Sequence, residues 1–448
     1  MAQDAWPMTL ETGSSRDAPQ ARSVATPWVE APLYLRLADT MVVLTPVALP
    51  WSTTATAFFI VLWLVLLIPT IDWDELVRSL ATPVSAMPLA FFVLADIGVL
   101  WSGGPWDSGI KGLNPVSKLL LIPFLLYHFR RSPRAAWVLA GFIGSCTLLM
   151  ILSWIVVVDP SWKISATASS GVPVKNYIDQ SQEFAFCAFA LAPLLLLAWT
   201  RRQLLMAAGL LGLIAGFLAN MLFVASARTA LIYLPVLLVL FGVRHLSRRA
   251  MLGLVAVALA AGTLVWTTSP YLRQRVADVA IEYRAYDANV PASTAQRLTY
   301  WRKSLKFFAD APLLGHGTGA IRHLFESDAA GQTGLRAEVV NNPHNQTLNV
   351  AIQWGLAGVA VLYAMWAVHL RLFWRMHPAA WIGLAIVVQN LVSSLLNSHL
   401  FDFNEGWMYV LGVGVAGGVV LGRADASDRS DAVPSDPRAP DAGSIAAA

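Results

Sequence analysis

Residues 250–267 read AMLGLVAVALAAGTLVWT, and residues 270–286 read PYLRQRVADVAIEYRAY. The first stretch carries no charge and has the length to cross a hydrocarbon core of ~30 Å, which takes ~20 apolar residues as a helix (range ~17–25). The second interleaves charged and apolar residues and reads as an amphipathic helix outside the bilayer. A change this abrupt marks a membrane protein from which a large polar segment emerges. That segment ends in Asn341-Asn342-Pro343-His344-Asn345-Gln346, and the next apolar run begins at once.

Composition agrees. Of 448 residues, 56% are hydrophobic and 13% charged, against ~25% charged in an ordinary soluble domain. Eighteen Trp suit headgroup-level anchoring. Twelve apolar runs can be read, nine within 35–267 and three within 348–421. The expectation is an all-α, polytopic integral membrane protein with about 12 transmembrane helices and one large helical loop at 268–347. Residues 1–34 and 422–448, rich in Ser, Pro, Ala and Asp, read as disordered tails, and the first has no apolar core of a signal peptide.

Basic residues orient the set. Arg130, Arg131 and Arg134, Arg201 and Arg202, Arg244, Arg248 and Arg249, and Arg371 and Arg375 fall on alternate connections. By the positive-inside rule these face the cytoplasm, as do both termini. The other connections, 102–114, 159–182, 225–227, 268–347 and 398–404, hold most of the unusual polar residues. The working face is therefore expected outside the cytoplasm, which in a Gram-negative cell is the periplasm. The net charge of +4 comes from loop arginines, so no nucleic-acid surface is read into it. Cys146 and Cys187 lie in apolar runs and read as buried small hydrophobes.

Within the loop, Ser293 to Asp310 is expected to form an amphipathic helix with Ser293 as N-cap and Gln296 closing a capping box. The stretch Ala311-Pro312-Leu313-Leu314-Gly315-His316-Gly317-Thr318-Gly319 then breaks it, a turn able to bring backbone close to a ligand.

Three side chains stand out. His344 lies at the mouth of a transmembrane helix among carboxamides, and an imidazole, titrating ordinarily near ~6.5, can act there as general base. Arg228 sits where two apolar runs meet, and its guanidinium suits paired hydrogen bonds to phosphate. Arg297 precedes Trp301 by one turn on the same helix face. Lys175, Gln180, Asn345 and His316 join Arg228, Arg297 and Trp301 as expected substrate contacts. Asp402 and Glu405 flank a helix entrance, placed to cap it or to hold a cation or sugar hydroxyl. Asp72-Trp73-Asp74 reads as an interfacial cap. No P-loop and no zinc-spaced His/Cys cluster occurs, so neither nucleotide nor metal is expected.

Three segments together resemble the O-antigen ligase and O-antigen polymerase superfamily of bacterial membrane glycosyltransferases. They are Ser226-Ala227-Arg228-Thr229-Ala230-Leu231, then Gln296-Arg297-Leu298 with Trp301 and the turn through Gly317, then Pro343-His344-Asn345-Gln346-Thr347-Leu348 with Gly355 and Gly358. Gln353 stands where many members have Glu. The resemblance implies a metal-independent, inverting transfer with no cofactor. The donor would be a glycan on undecaprenyl diphosphate, and the acceptor a sugar hydroxyl of the lipid A core. His344 would take the hydroxyl proton while Arg228 and Arg297 hold the diphosphate. The compact loop is most like that of a ligase. A polymerase or a protein O-oligosaccharyltransferase would share the motifs, and an anion transporter is the reading from another class. A monomer in the inner membrane is expected.

Overall fold

The computed structural model describes residues 31–165, 169–225, 227–289 and 292–431. The expected tails lie largely outside these residues, as does Ser226 of the first motif, although the last helix runs on to Asp431. The described residues are helical with no strand. That is what a bilayer demands, because a helix satisfies its own backbone hydrogen bonds where no water can.

Each of the twelve expected runs coincides with a helix. Eight of these helices are long and apolar enough to span, and a ninth counts if Trp73–Leu80 and Pro83–Ile97, bent by 78°, form one span. The count of twelve is therefore met in part. Ala230–His245 and Pro378–Ser393 have 16 residues each, about 24 Å at ~1.5 Å per residue. Ala31–Ala48 carries Arg36 and Asp39.

Successive helices pack as neighbours, Ala31–Ala48 on Thr53–Leu67 and Tyr177–Thr200 on Leu204–Phe223. Long-range pairs close the bundle: Leu121–Phe129 on Phe403–Asp431, and Gln346–Phe373 on Pro83–Ile97. Cys146 and Cys187 are buried and free. Asp72 caps its helix, its Oδ1 accepting from Glu75 N at 3.0 Å.

The connections sort to two ends. Arg244 donates to the carbonyl of Arg375 at 2.8 Å, and Arg130, Arg131, His377 and Arg423 share one cavity. At the opposite end Gly103 N donates to His316 O at 2.9 Å, and residues of 268–347 meet those of 394–402. We call these the arginine end and the loop end.

The segment after residue 268 is helical too: Pro270–Asp287, Ser293–Asp310 and the shorter Ile321–Ala329. The expected capping box is not formed. Ser293 is the first helical residue, Ala292 holds the N-cap position without a side-chain bond, and Gln296 Nε2 donates instead to Glu338 Oε1 at 2.9 Å. Glu282 of the preceding helix does the capping, accepting from Thr294 N at 3.0 Å. A carboxylate there also suits the positive end of the helix dipole.

The Gly-rich turn approaches protein backbone, not open space. Gln346–Phe373 is broken at Gly355, whose φ of 59° and ψ of −152° are open to glycine. The break frees backbone groups that the turn takes up. His316 N and Gly317 N donate to Ile352 O and Gln353 O at 2.9 and 2.8 Å, and Leu356 N and Ala357 N donate to Pro312 O and Leu313 O at 2.8 and 3.2 Å.

Candidate active site at the loop end

The helix Ser293–Asp310 is the hub. Thr294, Arg297 and Trp301 follow at i, i+3 and i+7 and therefore share one face. Each deals with a different part of the site.

Thr294 belongs to Arg228. The guanidinium binds Glu282 through both ends of its fork, Nη1 to Oε2 at 2.6 Å and Nη2 to Oε1 at 2.8 Å, and Nη1 also reaches Thr294 Oγ1 at 3.3 Å. The Thr294 hydroxyl donates in turn to Glu282 Oε2 at 2.6 Å. Asp278 stands 3.9 Å away. These hydrogen bonds from Arg228 hold the Glu282 carboxyl down at about 2 against the pull of burial, with Thr294 adding to the effect. Arg228 Nε is buried and has no partner among the described residues.

Arg297 is close enough to Arg228 for the two charges to repel, and Tyr177 and Glu282 are also near. Burial, then that repulsion, lower its pKa, with Tyr177 and Glu282 opposing. Among the described residues it makes no ion pair and no hydrogen bond. A partly buried cation beside a second cation, with no anion of its own, is an unsatisfied arrangement.

Trp301 belongs to His344. Its Nε1 donates to the His344 carbonyl at 3.4 Å, and the Tyr300 ring lies 6.2 Å from the imidazole. His344 has a φ of 54°, rare for a residue with a side chain. Its N–H donates to Asn342 Oδ1 at 2.9 Å, and its Nδ1 meets Asn397 Oδ1 at 2.7 Å.

A chain of side chains leads from His344 back to the turn. Ser398 Oγ donates to Asn342 at 2.7 Å, Asn349 Nδ2 to Ser398 at 3.3 Å, and Gln353 Nε2 to Asn349 at 2.8 Å. Gln353 Oε1 accepts from Gly319 N at 2.8 Å. Gln353 does not touch His344, as a spacing of nine residues requires, yet it reaches its backbone through three intermediates.

The other expected contacts stand apart. Lys175 Nζ is taken by Leu49 O and Asn404 Oδ1. Gln180 is buried, donating to Ser153 Oγ at 3.1 Å and Asn220 Oδ1 at 2.9 Å. Asn345 caps Gln346–Phe373, accepting from Leu348 N at 3.0 Å, and donates to Leu395 O at 2.9 Å. His316 Nε2 meets Phe307 O at 2.7 Å.

Sequence reasoning did not find Glu282 or Asn397. The i, i+4 pair Asp278 and Glu282 on the amphipathic helix was the available signal for the first. Asn397 offered only a carboxamide beside an apolar run.

Asp402 and Glu405 turn inward. Each has a carboxylate oxygen 3.4 Å from Nδ1 of buried His399, and the three offer ligand atoms within 4.8 Å, a set that could hold a metal ion. The charges already balance. Burial lowers the His399 pKa, but Glu405 and Asp402 outweigh it and raise it to about 9, so the ring is a cation at neutral pH. Lys118 Nζ adds a second, donating to Phe401 O at 3.0 Å and Asp402 O at 2.5 Å.

The cavity at the arginine end, about 570 Å³ and mostly apolar, contains none of the residues around His344. It does not bear on this chemistry.

A helical membrane protein with two guanidinium groups and an imidazole arrayed beside one polar helix is the class this fold and site define. Residues 213–363 match the family model described as O-Antigen ligase, a stretch that holds Arg228, Arg297, Trp301, His344 and the break at Gly355. The match shows the likeness to the O-antigen ligase superfamily. Comparison with curated proteins gives no match.

Proposed function

We propose that the protein is an O-antigen ligase. It would move a glycan from undecaprenyl diphosphate to a sugar hydroxyl of the lipid A core, at a site facing the periplasm. The observation that carries this reading is the placement of two guanidinium groups, Arg228 and Arg297, beside the helix that also touches His344: Arg228 bonds Thr294 of that helix and Arg297 lies on it. Such a pair suits a multiply charged anion that takes the Arg228 fork from Glu282, and a diphosphate brings two phosphates.

In the proposed reaction His344 takes the proton of the acceptor hydroxyl as its oxygen attacks the anomeric carbon. The bond to the diphosphate oxygen breaks, and Arg228 and Arg297 stabilise the charge left behind. Hydrogen bonds to charged groups contribute roughly 1.5–3 kcal/mol each, and a general base ~10²–10⁴-fold in rate. The donor is already activated, so no nucleotide is needed. Direct displacement inverts the anomeric centre.

The test is reconstitution in proteoliposomes with defined lipid-linked glycan and lipid A core. Covalent product that His344→Ala fails to form supports the reading. Full product from correctly inserted His344→Ala removes the base. The transporter reading draws on buried charged groups in the bundle, Glu183 with Asn404 and Lys175, and Glu405 with His399. Solute flux without covalent product in the same vesicles would favour it.

A further inference from the structure

We propose that Asn397 is a positioning residue for His344, holding the imidazole proton on Nδ1 so that Nε2 is the atom that accepts the hydroxyl proton. The inference rests on the reading of His344 as the base and names which nitrogen acts and what fixes it.

Three observations carry it. The side-chain oxygen of Asn397 lies 2.7 Å from Nδ1. An amide oxygen only accepts, so the ring nitrogen facing it must be the donor. A neutral imidazole has one proton, which leaves Nε2 as a lone-pair site. Nε2 has no hydrogen-bond partner among the described residues, and it is not among the buried atoms left without one, so it stays accessible. The third is the backbone. A φ of 54° is disfavoured in a residue with a side chain and persists only where the surroundings impose it. Here they do: Asn342 holds the His344 N–H and Trp301 its carbonyl. Asn397 and Ser398, adjacent in sequence, hold the ring and the Asn342 side chain respectively. One short connection thus orients the imidazole from both sides.

No carboxylate does this work. Histidine ion pairs among the described residues occur at His128 and at His399, not at His344. The titratable ring beside the imidazole is Tyr300, whose hydroxyl donates to Glu338. A neutral acceptor orients the ring without raising its basicity as a carboxylate would.

In the step itself the acceptor O–H bond breaks and its proton moves to Nε2. The oxygen's electron pair forms the new bond to the anomeric carbon, and the old C–O pair leaves on the diphosphate. The other proton stays on Nδ1 throughout, donated to Asn397 Oδ1.

The experiment uses full-length protein in proteoliposomes containing undecaprenyl-diphosphate-linked glycan and lipid A core. Asn397→Ala is expected to lower kcat by ~10–100-fold, by analogy with loss of a group that orients a metal-bound histidine, with KM for donor little changed. Asn397→Asp keeps the acceptor but adds charge, so it should recover turnover while the acid limb of the kcat/KM profile moves to higher pH. A merely structural asparagine would change the level without moving the limb. Nitrogen-15 NMR of histidine-labelled wild-type protein, with His344→Gln to assign the signal, reads the tautomer without any change at position 397. An Nδ1-protonated ring is expected. A ring protonated on Nε2, or an Asn397→Asp profile superimposed on wild type, overturns the proposal. Inactive His344→Ala beside unaffected Asn397 variants would sink this inference alone, whereas active His344→Ala would sink the reading beneath it.

Discussion

Thr294 and Trp301 lie seven residues apart on one helix face. The first accepts a hydrogen bond from Arg228, and the second donates one to His344. Seven residues at ~1.5 Å each set the two attachment points about 10 Å apart along the axis, with Arg297 between them. Residues separated by more than a hundred positions in the chain thus take their spacing from a single rigid ruler.

Arg228 should resist replacement by lysine. An ammonium keeps the charge but cannot make paired bonds. We expect Arg228→Ala to lose at least ~10²-fold in ligation and Arg228→Lys at least ~10-fold, each hydrogen bond to a charged group contributing roughly 1.5–3 kcal/mol. Long-chain lipopolysaccharide on a gel reads the outcome. Wild-type ladders from Arg228→Lys would mean that charge alone matters.

Glu282 gives the loop a pH-dependent tie. Its carboxyl is held at about 2, below its ordinary value near ~4.3. A depressed carboxyl contributes stability that is full above its unfolded value and is lost as pH falls through the folded one. Thermal stability in detergent should therefore decline between about pH 5 and pH 2, and Glu282→Gln should flatten that decline. Equal slopes for the two proteins would show that the pair does not anchor the loop.

Glu282 also fills the Arg228 fork that a phosphate would need. Diphosphate-bearing donor should compete for it, so Glu282→Gln is expected to lower KM for donor while reducing stability. A raised KM would indicate that Glu282 serves to aim Arg228 instead.

Gly355→Ala tests the broken span. A Cβ there would meet the backbone of Leu313, and φ of 59° disfavours any side chain. A loss on the order of 1–3 kcal/mol from strain alone is expected, seen as a lower midpoint of thermal unfolding. An unchanged midpoint would mean that the turn yields easily.

Gln353→Glu tests the departure from the family pattern. Glutamate can still accept from Gly319 N but, when ionised, cannot donate to Asn349. Leaving a buried group unpaired costs about 1–3 kcal/mol. Reduced turnover with intact insertion is expected, and full turnover would show that the relay to His344 is dispensable.

The membrane architecture was legible because apolar runs bounded by arginines report hydrocarbon thickness directly. Arg228 and His344 stood out as candidates because titratable groups at the mouths of such runs have few bland roles, and Arg297 because it shares a helix face with Trp301. The break at Gly355 was not, since one glycine in an apolar helical run leaves the periodicity intact. Glu282 pairs with Arg228 across 54 positions, a separation no local pattern encodes. Ser293 looked like a cap, and a tertiary carboxylate took that role. Lys175 and Gln180 looked available because they sit in or beside a polar connection, but the bundle folds back over them.

The four backbone hydrogen bonds across the break at Gly355 make the Gly-rich turn and the apolar helix after it a single sewn unit. These stitches are main-chain groups, so they withstand exchange of most side chains but not a shift of register: inserting or deleting one residue within Pro312–Gly319 would pull the two segments out of step.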